Sequence, residues 1–216
     1  MREIVLDTET TGLSVRDGHR IIEIGCVELI DRRFTGRVFH EYINPKRDIE
    51  ATAFLVHGIS NEFLKNRPQF QHIVNKLLDF VQDSSLIMHN ANFDVSFLNN
   101  ELSLCGKRPI DRNKIVDTLT IARRRYPGSK VSLDALCRRM NINLSSREKH
   151  GALIDAKLLA SVYAQMVSNI QSSILFSNEK RESIDLKSVY KKRSFQPTEL
   201  EVSEHFKALE YIKKER

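Results

Sequence analysis

Two carboxylates one residue apart, Asp7 and Glu9, close the apolar run Ile4-Val5-Leu6 near the start of the chain. Side chains alternate along a strand, so both would point to one face, where like charges repel unless something positive sits between them. A hard divalent cation such as Mg²⁺ meets that need with oxygen ligands. Taken alone, Asp-x-Glu before Thr-Thr-Gly also suits a solvated strand end and turn, so chemistry requires more acids. Asp94, in His89-Asn90-Ala91-Asn92-Phe93-Asp94, and Asp155, in His150-Gly151-Ala152-Leu153-Ile154-Asp155, supply them. Either would serve singly as a partner for a helix dipole; four acids on strand, turn and helix-start elements point instead to a shared cation site. His150 precedes Asp155 by five residues, which on one continuous helix would separate them by about 140°. They converge only if His150 lies in the preceding loop, which Gly151 makes easy. There a histidine, with an ordinary pKa of about 6.5, suits a general base.

The elements that must position these groups follow from periodicity. Residues 21–29 and 38–43 alternate around a turn at 31–36, so with the opening run they predict three antiparallel strands. Phe70, Ile73, Val74, Leu77, Leu78 and Val81 recur at helical spacing. Ser85-Leu86-Ile87-Met88 reads as a buried strand, the polar turn carries the Asp94 motif, and a helix bearing Phe97, Leu98 and Leu102 follows. Ile115-Val116 suggests one more strand, with helices over 118–125, 132–140 and 151–166. Strands first, then strand and helix in alternation, predict an α/β fold with a mixed sheet and helices packed on it.

The chain has 216 residues, 41% of them hydrophobic, enough for one sizeable core and a tail. Its 34 Lys and Arg against 28 Asp and Glu give a net charge of +6, which permits a polyanionic partner. Cys26, Cys105 and Cys137 are too few and too scattered for a disulfide framework, and no CxxC pair suggests zinc. The chain enters a strand at once and holds no apolar run long enough for a bilayer, so it reads as soluble, intracellular and without a membrane partner.

The three motifs Asp7-Thr8-Glu9, Asn92-Phe93-Asp94 and His150-x4-Asp155 resemble those of the DEDD exonucleases, in the subgroup with His in the third motif. Val56-His57-Gly58-Ile59, Asp117-Thr118-Leu119, Tyr126-Pro127-Gly128 and Ser132-Leu133-Asp134-Ala135-Leu136-Cys137 are further similar to the epsilon proofreading subunits of bacterial DNA polymerase III. The resemblance implies a ribonuclease H-like fold over residues 1–167 and hydrolysis of DNA 3′ ends to 5′-monophosphates in a bacterial cytoplasm. It implies two cations, Mg²⁺ or Mn²⁺, held by Asp7, Glu9, Asp94 and Asp155, with His150 as general base. Substrate contacts would come from Asp7, Glu9, Thr10, Thr11, Gly12, Thr52, His57, Asn92 and Asp155, although the position of Thr52 often carries Glu in this family.

Residues 168–193 are polar and weakly periodic, which predicts a flexible linker. Within them, 171–176 resembles the Gln-led, aromatic-ended peptides that dock in the sliding clamp. Thr198 and Glu201 form a capping box before an apolar stripe of Val202, Phe206, Leu209 and Ile212. Residues 194–216 resemble the segment that binds the polymerase alpha subunit, and the resemblance leaves open a small theta-like subunit on the core. Two other readings share these residues. An RNA-trimming exonuclease of the same superfamily would use the same site without needing the tail, and an assembly module would use chiefly the tail.

Overall fold

A computed structural model describes residues 1–145 and 149–178, with side chains to residue 168. Strand β1 (Arg2–Thr10) lies at the centre of a five-stranded sheet. Strands β2 (Ile21–Ile30) and β3 (Arg33–Tyr42) continue from it as an antiparallel meander. Strands β4 (Ser85–Met88) and β5 (Ile115–Asp117) add in parallel on its other side, giving the order β3-β2-β1-β4-β5. This is the mixed sheet that the alternation predicts.

Alternation along β1 sends residues to two cores. Ile4 and Leu6 pack with Ile24, Cys26, Leu86 and Met88 under helices α3 (Phe70–Val81) and α4 (Ala91–Leu104). Val5 faces the other way and packs with Val27 and Ile87 against Ala156, Leu159 and Tyr163 of α7 (Ala152–Asn178). Helices α5 (Thr118–Arg125) and α6 (Leu133–Arg139) form a further apolar cluster with α7 through Ala122, Leu136 and Val162. Asp7 and Glu9 have the parity of Val5 and so belong to the α7 face.

Two short helices carry no periodic signal and are absent from the sequence reading: α1 (Ala51–His57) and α2 (Asn61–Leu64). Five residues of α1, Ala51, Thr52, Phe54, Leu55 and Val56, remain exposed, so no buried stripe marks it. Helix α7 runs to Asn178 rather than ending at Met166, so residues 168–178, including 171–176, have helical backbone. No glycine or proline interrupts the chain between Gly151 and Pro197, and polar composition alone does not stop a helix. The expected polymerase-binding segment, 194–216, lies outside the described residues.

A buried ion pair ties the start of β2 to α4. Arg20 Nε and Nη2 each donate to Glu101 at 2.6 Å, and Glu101 is 1% exposed. Glu101→Ala should lower stability by about 3 kcal/mol, the low end for breaking a buried pair, because Arg20 still reaches water. Urea unfolding measures the loss.

Candidate active site

The site forms where β1 ends. Glu9 is the cross-strand partner of Glu23, and Asp7 of Gly25. Directly opposed residues share a face. Gly25 lets the first turn of α7 lie on that face: a Cβ there would meet the Ala152 and Leu153 backbone at 2.3 Å. Asp155 is thereby brought down onto Glu9, and its amide bonds to Gly151 O at 2.9 Å. His150 precedes the helix, as expected, and its amide donates to Val56 O of α1 at 3.3 Å. Its Nδ1 lies 3.1 Å from Asp155 Oδ2. Ligand atoms of Glu9, His150 and Asp155 all fall within 4.8 Å of one another.

Asp94 arrives from the opposite face of the sheet. Asn90 takes a left-handed backbone (φ +69°), which turns the chain sharply from β4 into α4 and places Asp94 in the helix's first turn. The Thr8 hydroxyl donates to Asp94 Oδ1 at 2.7 Å, so Thr8, between the two strand acids, reaches the fourth. Asp117, which caps α5 through the Leu119 amide, also accepts the Asn90 amide at 3.1 Å and so locks α4 to α5.

Burial, then the charges of Asp94, Glu9, Asp155 and Glu23, holds the Asp7 carboxyl well above the usual carboxylate range. Burial raises Asp94 to about 7, against the opposing hydrogen bond from Thr8. Acids pressed together at this cost, with three ligand atoms already grouped, fit a divalent cation. The sign of the linkage is testable. Between pH about 4 and 7 the folded protein keeps a proton on Asp94 that the unfolded chain releases, and the raised Asp7 acts in the same direction, so metal-free stability from these groups falls as pH rises. His57 and His89, which burial pushes below their ordinary value, act in the other direction. Comparison with and without cation isolates the carboxylates. The stabilisation on adding Mg²⁺ or Mn²⁺, read from the rise in melting temperature, should grow from pH 5 to pH 7.5 and reach about 2.7 kcal/mol at a hundred times Kd.

The other expected residues lie on the turn after β1, on α1 and at the start of α4. The turn at Thr10, Thr11 and Gly12 is braced by residues that the motifs do not reveal. Thr11 Oγ1 meets His19 Nδ1 at 3.0 Å, His19 Nε2 meets Glu50 Oε1 at 2.9 Å, and the Glu50 amide donates to Thr11 O at 3.0 Å. Gly12 is required because a Cβ would stand 2.3 Å from the His19 ring. Glu50 opens α1, whose Thr52 is exposed and within 3.4 Å of the Glu50 carboxylate. His57 ends α1, is 6% exposed and accepts the Ile59 amide on Nδ1, so its Nε2 carries the proton. It shares a cavity with Glu23, Lys149 and His150. Asn92 stands exposed in the first turn of α4. Glu23, an acid inside an apolar strand, is 2% exposed and meets His40 Nε2 at 2.7 Å, and only that break in the apolar pattern marks it in the sequence.

The exonuclease (RNase T) family model matches residues 4–163. DNA polymerase III subunit epsilon of Rickettsia felis is 50% identical over 189 residues, spanning 86% of this chain and 82% of that one. The subunit of the same name from Rickettsia conorii is 46% identical over 99% of this chain and 97% of its own length. Among solved structures, the nuclease domain of 3′hExo, a DEDDh family member bound to rAMP, superposes with a TM-score of 0.67 at 19% identity, over 78% of this chain and 92% of that one, which speaks for the fold. The chain belongs to the exonuclease family and, within it, to the epsilon subunits of DNA polymerase III.

Proposed function

We propose that this protein is the proofreading 3′→5′ exonuclease of a bacterial replicative polymerase, releasing 5′-deoxynucleoside monophosphates. The observation that carries the reading is the convergence of Asp7, Glu9, Asp94 and Asp155 with His150 at one strand end. The family name of its relatives supports the proofreading role.

Asp7, Glu9, Asp94 and Asp155 would hold two divalent cations, Mg²⁺ or Mn²⁺. When bound, these supply Lewis-acid activation of water and neutralise charge on the phosphate and departing oxygen. His150, half exposed at the mouth of the site, takes the proton of the attacking water. The Thr10-Thr11-Gly12 turn, with its backbone held by Glu50 and Arg20, lies against the terminal sugar, with His57, Thr52 and Asn92 as further contacts. His150→Ala should lower kcat by about 10²- to 10⁴-fold with little change in cation affinity. Single-turnover kinetics with a cation titration checks it, and an equal loss of affinity would make His150 a ligand instead.

A frayed, mispaired end enters such a site at lower cost than a paired one, so selectivity needs no reading of bases. In this reading, residues 194–216 bind the polymerase alpha subunit, 171–176 bind the sliding clamp, a small theta-like subunit sits on the core, and the protein works in the cytoplasm. Similarity running through 99% of the chain supports a shared tail, and no helix among the described residues is long and apolar enough to cross a membrane. The test compares 3′-mispaired DNA, paired DNA and single-stranded RNA of matched sequence. Preference for the mispaired DNA supports the proposal, and preference for RNA contradicts it.

A further inference from the structure

His150 lines two cavities, one shared with His57 and a larger cleft on its other side. The second, about 580 Å³, runs from Asp7, His150 and Asp155 past His89 to Leu119, Arg123 and the Val131–Asp134 segment. If the terminal nucleotide occupies the side of His57 and the Thr10-Gly12 turn, the rest of the strand must leave through this cleft. Its walls hold Asp7 and Asp155, whose charge the bound cations would offset, and Asp134, which offers nothing to a phosphate. Burial keeps His89 neutral by pushing its pKa down. Arg123 is thus the permanent positive charge among the described residues of this wall.

The fold fixes where that charge sits. Arg123 follows Leu119 by four residues on α5, so the two share a helix face, and both line the cleft. Helix α5 is anchored at its start by Asp117, which accepts from Leu119, Thr120 and the first amides of α4, and by Thr118, whose hydroxyl donates to Met88 O at 2.9 Å. Near its end Arg125 donates to Met166 O at 2.7 Å and stacks on Tyr126, while Ala122 is fully buried. Arg125 is committed to the fold, whereas Arg123 is exposed and aimed along the cleft wall.

We infer that Arg123 binds the phosphodiester one nucleotide upstream of the scissile bond, and so holds the strand in register as each terminal nucleotide is removed. The inference rests on the exonuclease reading above. A guanidinium matches a phosphate with paired, charge-assisted hydrogen bonds.

The experiment uses the full chain and two substrates, a single-stranded deoxyoligonucleotide and thymidine 5′-(p-nitrophenyl phosphate), which offers a scissile phosphodiester with no upstream nucleotide. Arg123→Ala should shift the ratio of kcat/KM for the two about tenfold against the oligonucleotide, mainly through KM. It should also flatten the dependence of log KM on log salt concentration by about 0.7, one single-strand phosphate contact. Arg123→Lys should recover part of the ratio. An unchanged ratio, whether both substrates are unaffected or both lose equally, overturns the assignment of Arg123. Wild-type protein that cleaves neither substrate overturns the exonuclease reading itself, a separate result.

Discussion

Asp7→Ala is expected to lower monophosphate release by on the order of 10³-fold or more while leaving the fold intact. Asp7 sits at the centre of the acids, its carboxyl raised by burial and by Asp94, Glu9, Asp155 and Glu23. Removing it deletes a cation ligand and also removes like-charge repulsion. In EDTA near pH 7.5 the variant should therefore melt about 2–4 °C higher than wild type, roughly the effect of 1 kcal/mol in a chain of this size. The two shifts have opposite sign, which general damage cannot produce. Retention of a tenth of the activity, or a lower melting temperature, would count against Asp7 as the central ligand.

Gly25→Ala should be the most damaging single methyl group in the sheet. The added carbon would meet the backbone of Ala152 and Leu153 at 2.3 Å, and backbone cannot swing aside as a side chain can. Overpacking of this kind costs about 1–3 kcal/mol, here toward the upper end. The functional loss should exceed the loss of stability. The first turn of α7 must lift from the sheet, carrying Asp155 away from Asp7 and Glu9, and a displacement of about 1 Å costs about 10²-fold in rate. Melting temperature, cation affinity and kcat on the same preparation check this. A destabilised variant with full kcat would show that the α7 contact does not position the site.

The legible part of the site was local in sequence. Alternation alone puts Asp7 and Glu9 on one face of β1, and the loop position of His150 follows from Gly151 and helical geometry. Asp94 is a different case, because it approaches from the other face of the sheet through Thr8 Oγ1. Nothing in its own segment records that approach, so the sequence joins it to Asp7 only as one of four acids in similar contexts and through the motif resemblance. The bracing by His19, Glu50 and Asp117 was not legible either, since each bridges segments that only folding brings together. Helix α1 leaves no periodic signal in the sequence because it exposes much of its apolar surface. Helix α7 conversely continues past Met166 to Asn178, because a change to polar composition does not by itself end a helix.

The most direct test of a metal-dependent 3′→5′ exonuclease is the product released from a 3′-labelled single-stranded DNA with Mg²⁺, with Mn²⁺ and with EDTA. Stepwise release of labelled 5′-monophosphate with either cation, abolished by EDTA, is the expected result. Release that persists in EDTA, internal cleavage, or 3′-monophosphate products would contradict it.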